Sequence, residues 1–300
     1  MPIDINKTPE NLTEIEMENE EKFRMIAYKA YEKRIADVWK LLEDEKLEIV
    51  LIKGWAAAQN YPKPYLRDIG DIDIAVNPKQ YESIIDLSKI HTIAAVDFHQ
   101  GLRHLDLSDW KTLYKNSRLV DCGIIKIRIP SFEDNLRILI VHWLNDGGVN
   151  EGKLWDIYYA VDNRPADFDW DYFLDSNGGK RKRWLICGIG LAHKYLGLNL
   201  EKTPIAKEAK NIPDWIIKTI EHEWNSEVRY GYLHANLNDS KQFFQQLKKR
   251  FPPNPIQATV EMEGSFDDSP RIFYQIGNIF KRLPSSVSRV SKALYYRMKT

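Results

Sequence analysis

The stretch LIKGWAAAQNYPKPYLRDIGDIDIAV, residues 51–76, decides how the chain is read. A short β-branched run, EIVLIKG, ends at Gly54, and WAAAQNY continues as a helix. After a loop, RDIGDIDIAV alternates polar and apolar residues as a second strand. Strand residues two apart share a face, so Asp71 and Asp73 are expected to project together while Ile72 and Ile74 enter the core. Two neighbouring carboxylates repel unless a cation lies between them. Hard oxygen donors suit Mg2+ (or Mn2+), an ion that prefers carboxylates plus substrate phosphates. Gly54 is expected to let a phosphate approach backbone N–H groups at a helix start. Lys53 is read either as a phosphate contact or as a solvated strand end. Arg67, one turn before the carboxylates, is read as a bidentate phosphate ligand, against a salt bridge to Asp68 or a glutamate. A lone Asp-x-Asp is common on surface strands; the ordered set of strand, glycine, helix, loop, arginine and paired aspartates is the specific signal.

Working outward, PKQYESIIDLSKI reads as a helix, HTIAAVDFHQ and GLRHLDLSDW as strands, and RLVDCGIIKIRIP as a strand pair. Residues 48–130 therefore form a small mixed sheet with helices on one face. Before it, residues 1–47 hold six glutamates between positions 10 and 21, then FRMIAYKAYEKRIADVWKLLEDEKL, one or two amphipathic helices with an acidic start. Beyond Pro130 the strands stop. Ser131, with Asp134 three residues on, opens a helical domain over 131–255. Residues 256–300 read as a linker and a basic amphipathic tail: from Arg271 onward there are seven Lys or Arg and no acid. Phe273, Ile276, Ile279, Phe280 and Leu283 recur there at helical spacing. The tail is read as a helix docked on the body, with a peripheral contact to anionic lipid or an acidic partner as the alternative. The fold class is α+β: an N-terminal helix, a mixed-sheet core and an all-helical C-terminal domain.

Bulk composition narrows the classes. Lys+Arg and Asp+Glu are 43 each in 300 residues, so no global field draws the chain to a long nucleic acid. Cys122 and Cys187 lie in apolar surroundings and read as reduced, buried thiols. No signal peptide opens the chain and no apolar run is long enough to span a bilayer, so a soluble cytoplasmic protein is expected. Zinc-spaced Cys/His clusters, a P-loop and a Gly-x-Ser-x-Gly elbow are lacking in the sequence.

With these residues in view, the sequence resembles the nucleotidyltransferase superfamily typified by DNA polymerase beta and the aminoglycoside nucleotidyltransferases. It resembles more closely a bacterial family known as uncharacterised nucleotidyltransferases. The likeness rests on Lys53-Gly54, Tyr61-Pro62, Arg67 and Asp71-Ile72-Asp73, then on His104-Leu105-Asp106-Leu107, His142 and the Lys153–Ile157 segment. It covers roughly residues 48 to 200. The resemblance implies two magnesium ions bridged by Asp71 and Asp73, with Asp106 completing the site. It implies transfer of a nucleoside monophosphate from a nucleoside triphosphate, ATP among them, to a hydroxyl acceptor with release of pyrophosphate. Lys53, Gly54, Arg67 and His104 would lie on the nucleotide side, and the helical domain would cover one side of the cleft. The superfamily usually has Gly-Ser or Gly-Gly where this chain has Gly54-Trp55, which shifts phosphate contacts to backbone amides, Lys53 and Arg67. That departure sustains an alternative, a catalytically degenerate nucleotide-binding or protein-interaction module of the same fold. A small molecule or protein acceptor fits the neutral charge better than a long nucleic acid.

The remaining polar residues carry plainer expectations. His104 shares a face with Asp106 and reads equally as a catalytic neighbour or a strand cap. Asp97 and His99 form a further same-face pair, read as a solvated sheet edge ahead of a metal role. Asp109 reads as a turn acid, Asp68 as a shaper of the loop, His142 as a core histidine, and Asp156 as an anchor between helices.

Overall fold

The β-branched run becomes β1 (Ile49–Ile52) and the second alternating run becomes β2 (Ile72–Val76), both buried along their whole length. The computed structural model describes residues 14–85, 96–102, 109–175, 181–231, 233 and 239–284. β1 and β2 are antiparallel, with Ile52 opposite Asp73 and Val50 opposite Ala75. On the other edge β2 runs parallel to β3 (Val96–Gln100), placing Asp97 opposite Asp73 and His99 opposite Ala75. The result is a three-stranded mixed sheet in the order β1-β2-β3. A separate antiparallel hairpin joins β4 (Arg118–Cys122) to β5 (Ile125–Ile129) through a turn at Gly123, whose φ of 64° suits glycine.

One long helix, α1 (Glu14–Asp44), covers one face of the sheet. Tyr31, Ile35, Val38 and Leu42 recur along one stripe and share a core with Ile49, Leu51, Ile72, Ile74 and Val76. Cys122, Ile127 and Ile129 of the hairpin close the same core. Burial of each such aliphatic side chain contributes about 1.5–3 kcal/mol. Because β2 alternates, this packing leaves Asp73 and Ala75 on the opposite face, which fixes where the functional side chains stand.

The remaining helices follow local signals. α2 (Gly54–Ala58) and α3 (Tyr81–Ile85) are short. Asp109 opens α4 (Trp110–Asn116) by accepting the Thr112 N–H at 3.0 Å, so the end of the segment read as a strand is a helix cap. Ser131 caps α5 (Phe132–Asn145) as its sequence suggests, its hydroxyl accepting the Asp134 N–H at 3.1 Å. α6 (Leu154–Asp162), α7 (Trp170–Asp175), α8 (Lys182–Leu196) and α9 (Ala206–Ala209) come next. Gly188 on α8 is needed for close approach, since a Cβ there would lie 2.5 Å from Ile140 Cγ2. α10 (Asp214–Trp224), α11 (Ser240–Lys249), α12 (Pro255–Glu261) and α13 (272–284) complete the described chain.

The chain divides into two compact units, one of Met1–Val141 with Gly152–Lys210 and one of His142–Glu151 with Asn211–Thr300. The first holds the sheet and α6–α9; the second holds α10–α13. Within the second unit, buried Asn254 caps α12 by accepting the Ile256 and Gln257 N–H groups, and donates to Gly147 O and Glu223 Oε1. Both cysteines are free and buried, and burial pushes each thiol up to about 12. Among the described residues no helix is long and apolar enough to cross a membrane.

Candidate functional site

Strand β1 ends in a strained turn. Lys53 has φ 56° and ψ −132°, a conformation that L-residues rarely adopt and that costs of order 1–3 kcal/mol. The turn aims its ammonium back across the sheet, 2.8 Å from Asp73 Oδ1 and 3.3 Å from His99 Nε2. Gly54 follows because the segment leading into β2 passes close by: a Cβ would lie 3.3 Å from the Ile69 side chain at Cγ2 and 3.4 Å from Asp71 O. Its glycine character thus answers to packing, and α2 behind it is only five residues long. Trp55, the residue after Gly54, is 1% exposed and belongs to the α1-side core. That position points inward, so a bulky indole fits where a phosphate-binding hydroxyl would have no access.

Asp73 is the centre of the polar cluster. Its carboxylate is buried on the face left free by α1, and Oδ1 lies 2.8 Å from both Lys53 Nζ and His99 Nε2. His99 Nε2 also lies 3.4 Å from Asp97 Oδ2. Asp73, Asp97 and His99 each offer one ligand atom, all within 4.8 Å of one another, in the pattern of a metal-holding group. The parallel register of β2 and β3 makes this grouping: side chains directly opposite share a face, and His99 sits two residues beyond Asp97 on it. Asp97 remains open, with 62% of its side chain exposed, against 6% for Asp73. The pair read as a solvated sheet edge is therefore part of the polar cluster. The signal existed in the sequence as an Asp-x-His on an alternating strand; what the sequence lacks is the non-local pairing that sets this strand against β2.

Burial pushes the Asp73 carboxyl up, but the His99 hydrogen bond and the Lys53 ammonium outweigh it and hold Asp73 below the usual carboxylate range. A depressed carboxylate stabilises the fold above its unfolded pKa and loses that contribution as pH falls through its folded value. Stability is therefore expected to drop on acidification below about pH 4, the unfolded carboxylate range. Asp73→Asn should flatten this acid limb in a melting-temperature profile against pH. An unchanged limb would show that the pair with Lys53 does not form in solution.

Asp71 stands differently from the sequence expectation. It lies one residue before β2, exposed, and its backbone carbonyl accepts the Tyr31 hydroxyl. The Tyr31 hydroxyl is pushed up by burial first and then by the charges of Asp71 and Asp73, so both carboxylates act on one point. Among the described residues, the group within 4.8 Å is Asp73, Asp97 and His99 rather than one containing Asp71. Asp106 and His104 lie outside the described residues.

Arg67 is committed elsewhere. Its Nε lies 2.8 Å from Asp156 Oδ1 and its Nη2 2.9 Å from Asp156 Oδ2, while Nη1 donates to Asp68 O at 3.2 Å. Tyr61 donates to the same Asp156 Oδ1 at 2.7 Å. Burial would lower the Arg67 pKa, but Asp156 outweighs it and raises it. In this structure Arg67 forms a fork that ties the loop before β2 to α6, and its ion-pair partner is Asp156, neither the Asp68 carboxylate nor a glutamate. Asp156 is an anchor, as read, though to a loop rather than a second helix.

The family model for uncharacterised nucleotidyltransferases matches residues 6–89. The matched segment takes in α1, β1, the Lys53 turn, β2 with its aspartates, and α3, and stops before β3. It supports a nucleotidyl-transfer role in general terms. No curated protein shows significant similarity to the chain.

Proposed function

We propose that the chain is a magnesium- or manganese-dependent nucleotidyltransferase. In this reading it moves a nucleoside monophosphate from a nucleoside triphosphate, ATP among them, to a hydroxyl acceptor and releases pyrophosphate. The observation that carries it is the alignment of Asp73 with Asp97 across β2 and β3, beside a segment matching a nucleotidyltransferase family. The donor set fits a hard divalent cation: two carboxylates on one face, one buried and one open, with Asp71 at the strand's entrance. Asp73 and Asp97 would hold such an ion, with Asp71 and Asp106 as further ligands, and it would supply charge stabilisation at the α-phosphate and acidify the acceptor hydroxyl.

The chain's own residues have distinct tasks here. His99 donates to Asp73 and fixes the orientation of that carboxylate. Asp97, open to solvent, accepts the proton of the acceptor hydroxyl. Lys53 neutralises Asp73 in the resting site and turns to the triphosphate in the loaded one, taking the phosphate task expected of Arg67. A small molecule or protein acceptor and a cytoplasmic location belong to the same proposal.

Thermal shift with each of the four ribonucleoside triphosphates, with and without Mg2+ or Mn2+, tests it. A triphosphate at about a hundred times its Kd is expected to add about 2.7 kcal/mol of stability. The gain should require the metal and should accompany pyrophosphate release. Equal shifts without metal would remove the metal-dependent reading. A metal-dependent shift with no pyrophosphate under any acceptor would favour the degenerate binding module, which Trp55 and the closed Lys53–Asp73 pair also suit.

Lys53→Met supplies an independent check. Removing the ammonium beside Asp73 is expected to tighten Mn2+ binding in the absence of nucleotide by about tenfold, equivalent to 1.4 kcal/mol. Triphosphate binding should weaken at the same time. Calorimetric titration of both ligands reads the opposed changes; parallel changes would deny Lys53 its dual role.

A further inference from the structure

The last described helix, α13, is mounted with its polar side inward. Asn278, 1% exposed, donates to Glu261 Oε2 at 2.7 Å, and Arg282 Nε meets the same oxygen at 2.7 Å. Gln275 donates to Pro253 O at 2.6 Å. These residues face α12 and the turn before it. On the other side, Ile272, Phe273, Ile276, Phe280 and Leu283 are exposed by 47, 70, 44, 70 and 53%. At about 100° per residue the five fall within an arc of roughly 100°, a continuous apolar stripe. The docked amphipathic helix expected from the sequence would bury this stripe, and the observed helix leaves it open. The apolar spacing was legible, but which side docks depends on Glu261 and Pro253, whose positions no local pattern gives.

We propose that this face binds the surface of an anionic lipid bilayer. Two exposed phenylalanines on a short helix can enter the headgroup boundary, where an apolar stripe gains what it lacks in water. Charge selects the occupant. Arg271, Lys281 and Arg282 are engaged with Trp215 and Glu261, and the sequence charge of residues 271–300, seven Lys or Arg and no acid, fits a negatively charged leaflet and disfavours a second copy of the same basic segment. Contact is peripheral, since no described helix is long and apolar enough to cross. Lipid contact through α13 uses neither the sheet nor its carboxylates, and so does not depend on the proposed transfer reaction.

Co-sedimentation of the full chain with vesicles of phosphatidylcholine alone, or with about a third phosphatidylserine, tests it. Binding is expected only to the second and should weaken as salt is raised past the screening range. The double variant Phe273→Ser with Phe280→Ser should lose binding at least tenfold with an unchanged melting temperature, both side chains being largely exposed. As a measurement that removes little apolar area, a nitroxide on Phe280→Cys should gain access to oxygen over a polar nickel chelate on phosphatidylserine vesicles. Labelling there is selective because Cys122 and Cys187 are buried. Absence of binding to phosphatidylserine vesicles, or equal binding by the double variant, overturns the proposal. So does a lipid-free dimer that the double variant abolishes, which would give the face to a second copy.

Discussion

Asp73→Ala is expected to reduce pyrophosphate release by at least about a hundredfold, the scale seen when one group stabilising transition-state charge is removed. It should also destabilise the fold. The Lys53 ammonium and His99 imidazole, with side chains 16 and 21% exposed, both lose the oxygen they meet at 2.8 Å. Breaking such a pair from one side leaves an uncompensated charge, worth about 3 kcal/mol at the lower end for buried pairs. The two effects can be separated. Asp73→Asn keeps an amide oxygen for hydrogen bonding but no charge. Adding Lys53→Met to it removes the stranded ammonium and should recover most of the stability while activity stays lost. If the double variant recovers both, the carboxylate has a structural task alone.

The second large effect lies outside the cluster. Arg67→Ala or Asp156→Ala should each destabilise the chain by about 3–5 kcal/mol, the range for removing one partner of a buried ion pair. The fork makes two N–H···O contacts at 2.8 and 2.9 Å, and Tyr61 adds a third to the same carboxylate. Neither effect should depend on nucleotide. The paired change Arg67→Met with Asp156→Leu should restore much of the loss, because well-packed apolar residues often replace a buried pair at little cost. A double-mutant cycle on denaturation midpoints measures the coupling. If Arg67→Ala instead left stability intact and weakened triphosphate binding, the arginine would be the phosphate ligand that its position in sequence suggests.

Arg67 also marks how far the sequence could be read. The loop length and the donor type were visible, but Asp156 lies 89 residues away, and no local pattern reports that distance. The same limit separates Asp71 from Asp97. Asp71 and Asp73 announce themselves by adjacency, two residues apart in the sequence. Asp97 and His99 carry the same spacing, but their significance depends on β3 lying parallel and in register beside β2. Local signals did well where local physics dominates: the Ser131 cap, the break at Lys53-Gly54, the β4–β5 hairpin and the apolar stripe of α1. Trp55 shows the converse case. Its oddity was plain in sequence, and its cause, a position turned into the α1-side core, belongs to packing.

In the proposed site the buried carboxylate of Asp73 and the open one of Asp97 jointly hold a divalent ion. Electron paramagnetic resonance of Mn2+ titrated into the intact chain measures this directly. Saturable binding is expected, lost in Asp73→Asn and in Asp97→Asn alike, while Asp109→Asn, which alters the cap of α4, binds as the unaltered chain does. Saturable binding that survives both changes, or no binding by the unaltered chain with triphosphate present, would contradict it.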